Sequence, residues 1–156
     1  MTDVNGLRLA YRGFIAGLAG GYVWAAIAMV LAWIVRGDPL LALAPLADAL
    51  TPLAGSRELA LVLGLAVAQA AGGVSGMCFA YFFGRYFTVR ATLAVAAPAY
   101  TLLAWGLMAT ALPGDITTLS FVTHPIPIIA TLGYGLLLGA AVPLRGEVTR
   151  PAAQAG

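Results

Sequence analysis

All eight arginines and all six acidic residues of this chain fall outside four apolar stretches, Gly13–Val35, Leu59–Gly84, Ala91–Leu112 and Ile126–Leu144. A charge at the centre of a bilayer is costly, whereas about 20 apolar residues in a row span its hydrocarbon core. The stretches hold 23, 26, 22 and 19 residues. As helices they reach about 28–39 Å, against a core of about 30 Å. With 62% of its 156 residues hydrophobic and 9% charged, the chain is too apolar for an ordinary soluble domain. The runs do not alternate as the strands of a transmembrane barrel do. The expected fold is all-α: one membrane domain over residues 1–156, an integral bundle of four transmembrane helices.

The arginines orient that bundle. Arg8 and Arg12 precede the first stretch, Arg85 and Arg90 separate the second from the third, and Arg145 and Arg150 follow the fourth. With four spans these six share one face, against Arg36 and Arg57 on the other, so the positive-inside rule puts both termini in the cytoplasm. A cytoplasmic (inner) membrane of a prokaryote is the expected location. The first stretch is longer than the core of a cleavable signal and no small-x-small site follows it, so it is expected to remain. No lipidation motif is present at either end. The chain has no lysine, and its dispersed arginines form no patch for nucleic acid. Its expected partners are the lipid bilayer and other membrane helices, as further subunits or as a second copy.

The first outer loop, Arg36–Glu58, carries prolines at 39, 45 and 52 and places Leu43, Leu46, Leu50 and Leu53 at helical spacing. It is too short between its prolines to span, and reads as an interfacial or re-entrant segment lying on the bundle. The second outer loop, Pro113–Pro127, is punctuation between helices, with prolines suited to a helix start. Residues 151–156 read as a disordered tail.

Inside the spans the most regular pattern is a ladder of small residues. Gly64, Ala68, Gly72, Gly76, Ala80 and Gly84 stand four apart in the second; Gly13, Gly17 and Gly21 repeat the device in the first, and Gly135 and Gly139 in the fourth. Small residues at i and i+4 let a neighbouring backbone approach closely, which is how helices gain packing energy in lipid. Whether the ladders meet each other or a partner is open at this level. The third span differs, with Pro98 expected to kink it and Tyr100 and Trp105 adding bulk. Tyr11, Tyr22, Trp24 and Trp33, and the run Tyr81, Phe82, Phe83, Tyr86 and Phe87, read mainly as interfacial aromatic belts.

Chemistry is sparse. His124, the single histidine, sits at the outer edge of the fourth span and is read first as a solvated or capping residue, with haem or quinone ligation as the alternative. Gln69 is the one strongly polar side chain deep in a span and is expected to form an interhelical hydrogen bond. Span hydroxyls such as Ser75, Thr101 and Thr131 can bond local carbonyls. Cys78, the lone cysteine, has no disulfide partner and reads as a small hydrophobe. The glycines at 72, 73 and 76 lack the lysine of a phosphate loop. No catalytic site, metal site or cofactor is expected.

The segments RGFIAGLAGGYVWAA (12–26) and HPIPIIATLGYGLLLGAAV (124–142) resemble bacterial and archaeal four-helix inner-membrane proteins of domain-of-unknown-function families. That resemblance implies a location and a helical fold but no activity. The leading functional expectation is a small noncatalytic accessory or scaffold subunit of a larger membrane complex, of which respiratory and photosynthetic assemblies are examples. The alternatives are a small oligomeric transporter or channel with a path near Gln69, and a quinone- or haem-binding electron-transfer subunit using His124.

Overall fold

The computed structural model describes residues 3–48, 56–84, 86–111 and 124–143, and these contain helices and no strand. Leu50, Pro52 and Leu53 of the first outer loop, most of the second, the tail at 151–156, and Arg85, Arg145 and Arg150 lie outside the described residues. Helix α1 runs Asp3–Arg36, α2 Ala44–Asp48, α3 Arg57–Phe79, α4 Arg90–Ala111 and α5 Pro125–Ala141. Two segments are long and apolar enough to cross a membrane, Gly6–Arg36 and Arg57–Gly84; Pro125–Ala141 is apolar but shorter.

Helix α1 begins ten residues before the first apolar stretch. At about 1.5 Å per residue its 34 residues reach about 51 Å, so it overshoots a hydrocarbon core by several turns. It stops at Gly37, whose N–H donates to the Trp33 carbonyl at 2.8 Å while its φ of 71° turns the chain. This left-handed position is the usual place for glycine just past a helix end.

The glycine positions define the packing. A Cβ built on Gly13 would strike the Gly76 carbonyl and Ala80, one on Gly17 would strike the Gly72 carbonyl, and one on Gly21 would come within 2.7 Å of the Ala68 carbonyl. Conversely, a Cβ on Gly72 would lie 2.6 Å from the Gly17 carbonyl. The pairing runs 13 with 76 and 80, 17 with 72, and 21 with 68, so α1 and α3 are antiparallel and touch backbone to backbone. The two ladders therefore face each other within one chain.

The six rungs of α3 do not all serve α1. A Cβ on Gly64 would lie 2.6 Å from the Leu43 carbonyl, so this rung receives the first outer loop. The loop folds as a 3-10 turn, Pro39–Ala42, followed by the short α2, with Leu43 and Ala47 fully buried against the bundle. Over its described part, Pro39–Asp48, the segment lies tucked on the bundle as two short helical pieces. Asp38 organises its start: one carboxylate oxygen accepts from the Leu40 N–H at 3.1 Å and from the Arg57 guanidinium at 2.8 Å. That ion pair is exposed and contributes little by itself.

At the other end of α3, residues Ala80–Gly84 form a π-helical turn. The turn is wider than an α-helical one, yet Gly84 keeps the register: it meets Leu9 of α1, one turn before Gly13, together with Val142. Helices α4 and α5 form a second antiparallel pair, with Gly135 against Pro98 and Thr101, and Gly139 against Leu93, Ala94 and Ala97. Arg90 at the start of α4 donates to the Ala140 and Val142 carbonyls, at 3.2 and 2.6 Å, and so caps the end of α5. The pairs join where Gly20 and Ile27 of α1 accept Tyr134 and Gly133 of α5. The order around the bundle is α3, α1, α5, α4, and the last and first helices have few contacts with each other.

Gly72→Leu forces a side chain against a backbone that cannot yield. The expected cost is about 1–3 kcal/mol or more, read by denaturant titration in mixed micelles. Gly106, which has nothing within 4 Å of its built Cβ, is the control. Gly106→Ala should be neutral or stabilise by up to about 1 kcal/mol, because alanine is the better helix former.

Candidate functional site

Where α3 and α4 fail to close, the bundle contains a cavity of about 110 Å³. Val67, Ala68, Ala71, Gly72 and Ser75 of α3 form one side, and Thr101, Ala104 and Trp105 of α4 the other. Gly21 and Trp24 of α1 with Thr131 and Tyr134 of α5 make the back wall, and Leu46 of α2 closes one end. At the other end Tyr100 bridges the seam: its ring packs on Phe79 and Phe83 at centroid distances of 5.1 and 5.5 Å, and its hydroxyl donates to the Ser75 carbonyl at 3.1 Å.

The back wall is held by hydrogen bonds that cross between helices. The Trp24 indole N–H donates to Thr131 Oγ1 at 3.1 Å, and the Tyr134 hydroxyl donates to the Gly72 carbonyl at 2.8 Å. The Thr101 hydroxyl lies 3.0 Å from the Pro98 carbonyl and 3.2 Å from that of Thr131. Among the described residues, no buried side-chain nitrogen or oxygen lacks a partner. Helix packing drives this arrangement: the absence of a side chain at Gly20 leaves room for the Tyr134 ring, whose hydroxyl reaches the Gly72 carbonyl of α3.

Two readings from sequence change here. Trp24, grouped with the aromatic belt, is only 7% exposed and belongs to the interior, tilted against Trp105 at 5.8 Å between ring centroids. Its place near the middle of the first apolar stretch was the available signal, since an indole N–H at that depth needs a partner. Thr131, read as able to bond a local carbonyl, also accepts from another helix. Tyr22 and Trp33, by contrast, are exposed on the outer surface of α1.

Gln69 is not on the cavity wall. At about 100° per residue it sits on the flank of α3 turned away from Ala71 and Ser75, beside Gly21, whose built Cβ would lie 2.8 Å from its Cα. It is half-buried, and no described residue hydrogen-bonds its amide. His124 is the N-cap of α5, its Nδ1 accepting from the Ile126 N–H at 3.3 Å, with Pro125 in the first turn. Cys78 is a free, half-buried thiol. Among the described residues no three His, Cys, Asp or Glu side chains gather as a metal site. Compared with known proteins, the chain matches no family model, no curated protein and no solved structure.

Thr131→Val keeps the side-chain shape but strands the Trp24 N–H. The expected cost is about 1–2 kcal/mol. A double-mutant cycle with Trp24→Phe should return a coupling of about 0.6–1.7 kcal/mol, the range for interhelical bonds in membranes. A coupling near zero would show that the bond is not formed.

Proposed function

We propose that the chain is a four-span protein of a prokaryotic cytoplasmic membrane, with both termini cytoplasmic, acting as a small non-enzymatic subunit of a larger membrane complex. Several features support the membrane placement. The outward faces of all four long helices are apolar, with Ile15 and Val30 on α1, Val62 and Val74 on α3, Val95 and Leu103 on α4, and Ile129 and Leu136 on α5 among the exposed residues. An apolar surface of that extent calls for lipid or for partner helices. The alternating directions of the four helices keep Arg8, Arg12 and Arg90 at one end and Arg36 and Arg57 at the other, in accord with the positive-inside rule.

The subunit role rests on one observation, the unengaged Gln69 amide at the middle of Arg57–Gly84. The small-residue ladders are occupied within the chain, so they offer no face to a partner. An amide at mid-bilayer depth is too short to reach water, and a polar group left alone in hydrocarbon costs several kcal/mol. A hydrogen bond to a helix outside the chain removes that cost, and residues of this type act as interhelical glue.

Extraction in a mild detergent should recover the protein in a stoichiometric assembly, and Gln69→Leu should release it as a stable monomer. Recovery of the wild-type protein as a monomer, or an assembly indifferent to Gln69→Leu, would contradict the proposal.

A further inference from the structure

We propose that the cavity between α3 and α4 is a binding site for the hydrocarbon chain of a bilayer lipid, inserted laterally through the open seam. The inference rests on the membrane placement proposed above but not on the subunit role. Size, polarity and access each constrain the occupant.

The cavity of about 110 Å³ is too small for a helix. It falls in the class of the apolar cavities of about 150 Å³ that stay dry and take up benzene-sized hydrocarbons. One end of an acyl chain is of that order. Most of its polar wall groups are already committed: the Trp24 indole to Thr131, the Tyr134 hydroxyl to the Gly72 carbonyl, and the Thr101 hydroxyl to carbonyls of α4 and α5, with the Ser75 hydroxyl the exception. Beyond a single contact with Ser75, a quinone headgroup or a polar solute would have to break one of these bonds to be held. A chain of methylenes needs none of them, and van der Waals contact with Trp24, Trp105 and Ala71 rewards it.

Access fixes the direction of entry. Leu46 blocks one end of the cavity, and Tyr100 with Phe79 and Phe83 blocks the other. The remaining opening lies between α3 and α4, where exposed Ala71 borders the lining. For a helix pair in a membrane, that opening gives onto lipid tails, so the surrounding medium itself supplies the ligand. An unfilled gap there forfeits contacts on both walls, while an inserted chain restores them.

Trp24 is a built-in reporter, because it lines the cavity yet is shielded from the outer surface. The test uses full-length protein with Trp24 as its sole tryptophan (Trp33→Phe, Trp105→Phe), reconstituted in phosphatidylcholine vesicles brominated at mid-chain. Bromine quenches indole fluorescence at short range, so a chain in the cavity should quench Trp24 strongly. Ala71→Phe, or independently Ala104→Leu, fills the space and should remove most of that quenching. Weak quenching in the parent protein, or quenching unchanged by both filling substitutions, would overturn the proposal. A companion protein with Trp33 alone, in vesicles brominated near the headgroup, checks the bilayer placement. Quenching of Trp33 without quenching of Trp24 refutes the lipid site only, whereas loss of both refutes the placement as well.

Discussion

The fold depends on the contact between α1 and α3, where two backbones lie closer than any side chain permits. Gly13, Gly17 and Gly21 face Ala80, Gly76, Gly72 and Ala68 in antiparallel register. In lipid there is no hydrophobic gain from joining two apolar helices, because the tails are as apolar as the side chains. What remains is close van der Waals contact, which fades within a fraction of an ångström of separation. Glycine and alanine are therefore the means by which this pair adheres. A carbonyl opposite each glycine leaves no room for a larger residue, so the register of the pair is set by the spacing of its small residues.

The rest of the bundle is arranged around that pair. Gly64 gives the Pro39–Asp48 segment a seat at Leu43, so Leu46 closes one end of the cavity. Gly72 serves twice: it admits α1 and offers its carbonyl to the Tyr134 hydroxyl of α5. Gly135 and Gly139 let α4 close on α5 in the same manner, with Arg90 capping the far end. The side left loosely closed is α3 against α4, because the rungs of α3 are turned to α1 and the bulk of α4, Tyr100 and Trp105, stands in the way. The cavity follows from that mismatch. It is a product of which faces were given small residues.

Much of this was legible in the chain and some was not, for physical reasons. Exclusion of charge marked the positions of the four long helices, since that cost acts on each residue separately. The start of α1 at Asp3 escaped it, because a helix propagates readily into a mixed polar segment such as VNGLRLAYR. The ladders announced close packing, but a stripe of small residues carries no name of its partner; pairing 17 with 72 requires the fold. The same holds for Gln69, whose depth could be read and whose flank could not, since the direction of α1 decides which side of α3 is covered. The π-turn at Ala80–Gly84 has no local mark in AYFFG that separates it from ordinary helix. His124 was legible as a cap because two prolines follow it, whereas Trp24 was grouped with the belts although its depth in the stretch already called for a buried partner, which is Thr131.

The central claim is that the α1 and α3 ladders meet within one chain. Magic-angle-spinning NMR of the protein in bilayers tests it directly, through carbon–carbon cross-peaks between Gly17 Cα and the Gly72 carbonyl. Labelled protein is diluted into an excess of unlabelled protein. Persistence of the cross-peak at full relative intensity on dilution is the predicted result. Its absence, or its loss in proportion to dilution, would show that the ladder of α3 packs on another molecule and would contradict the account.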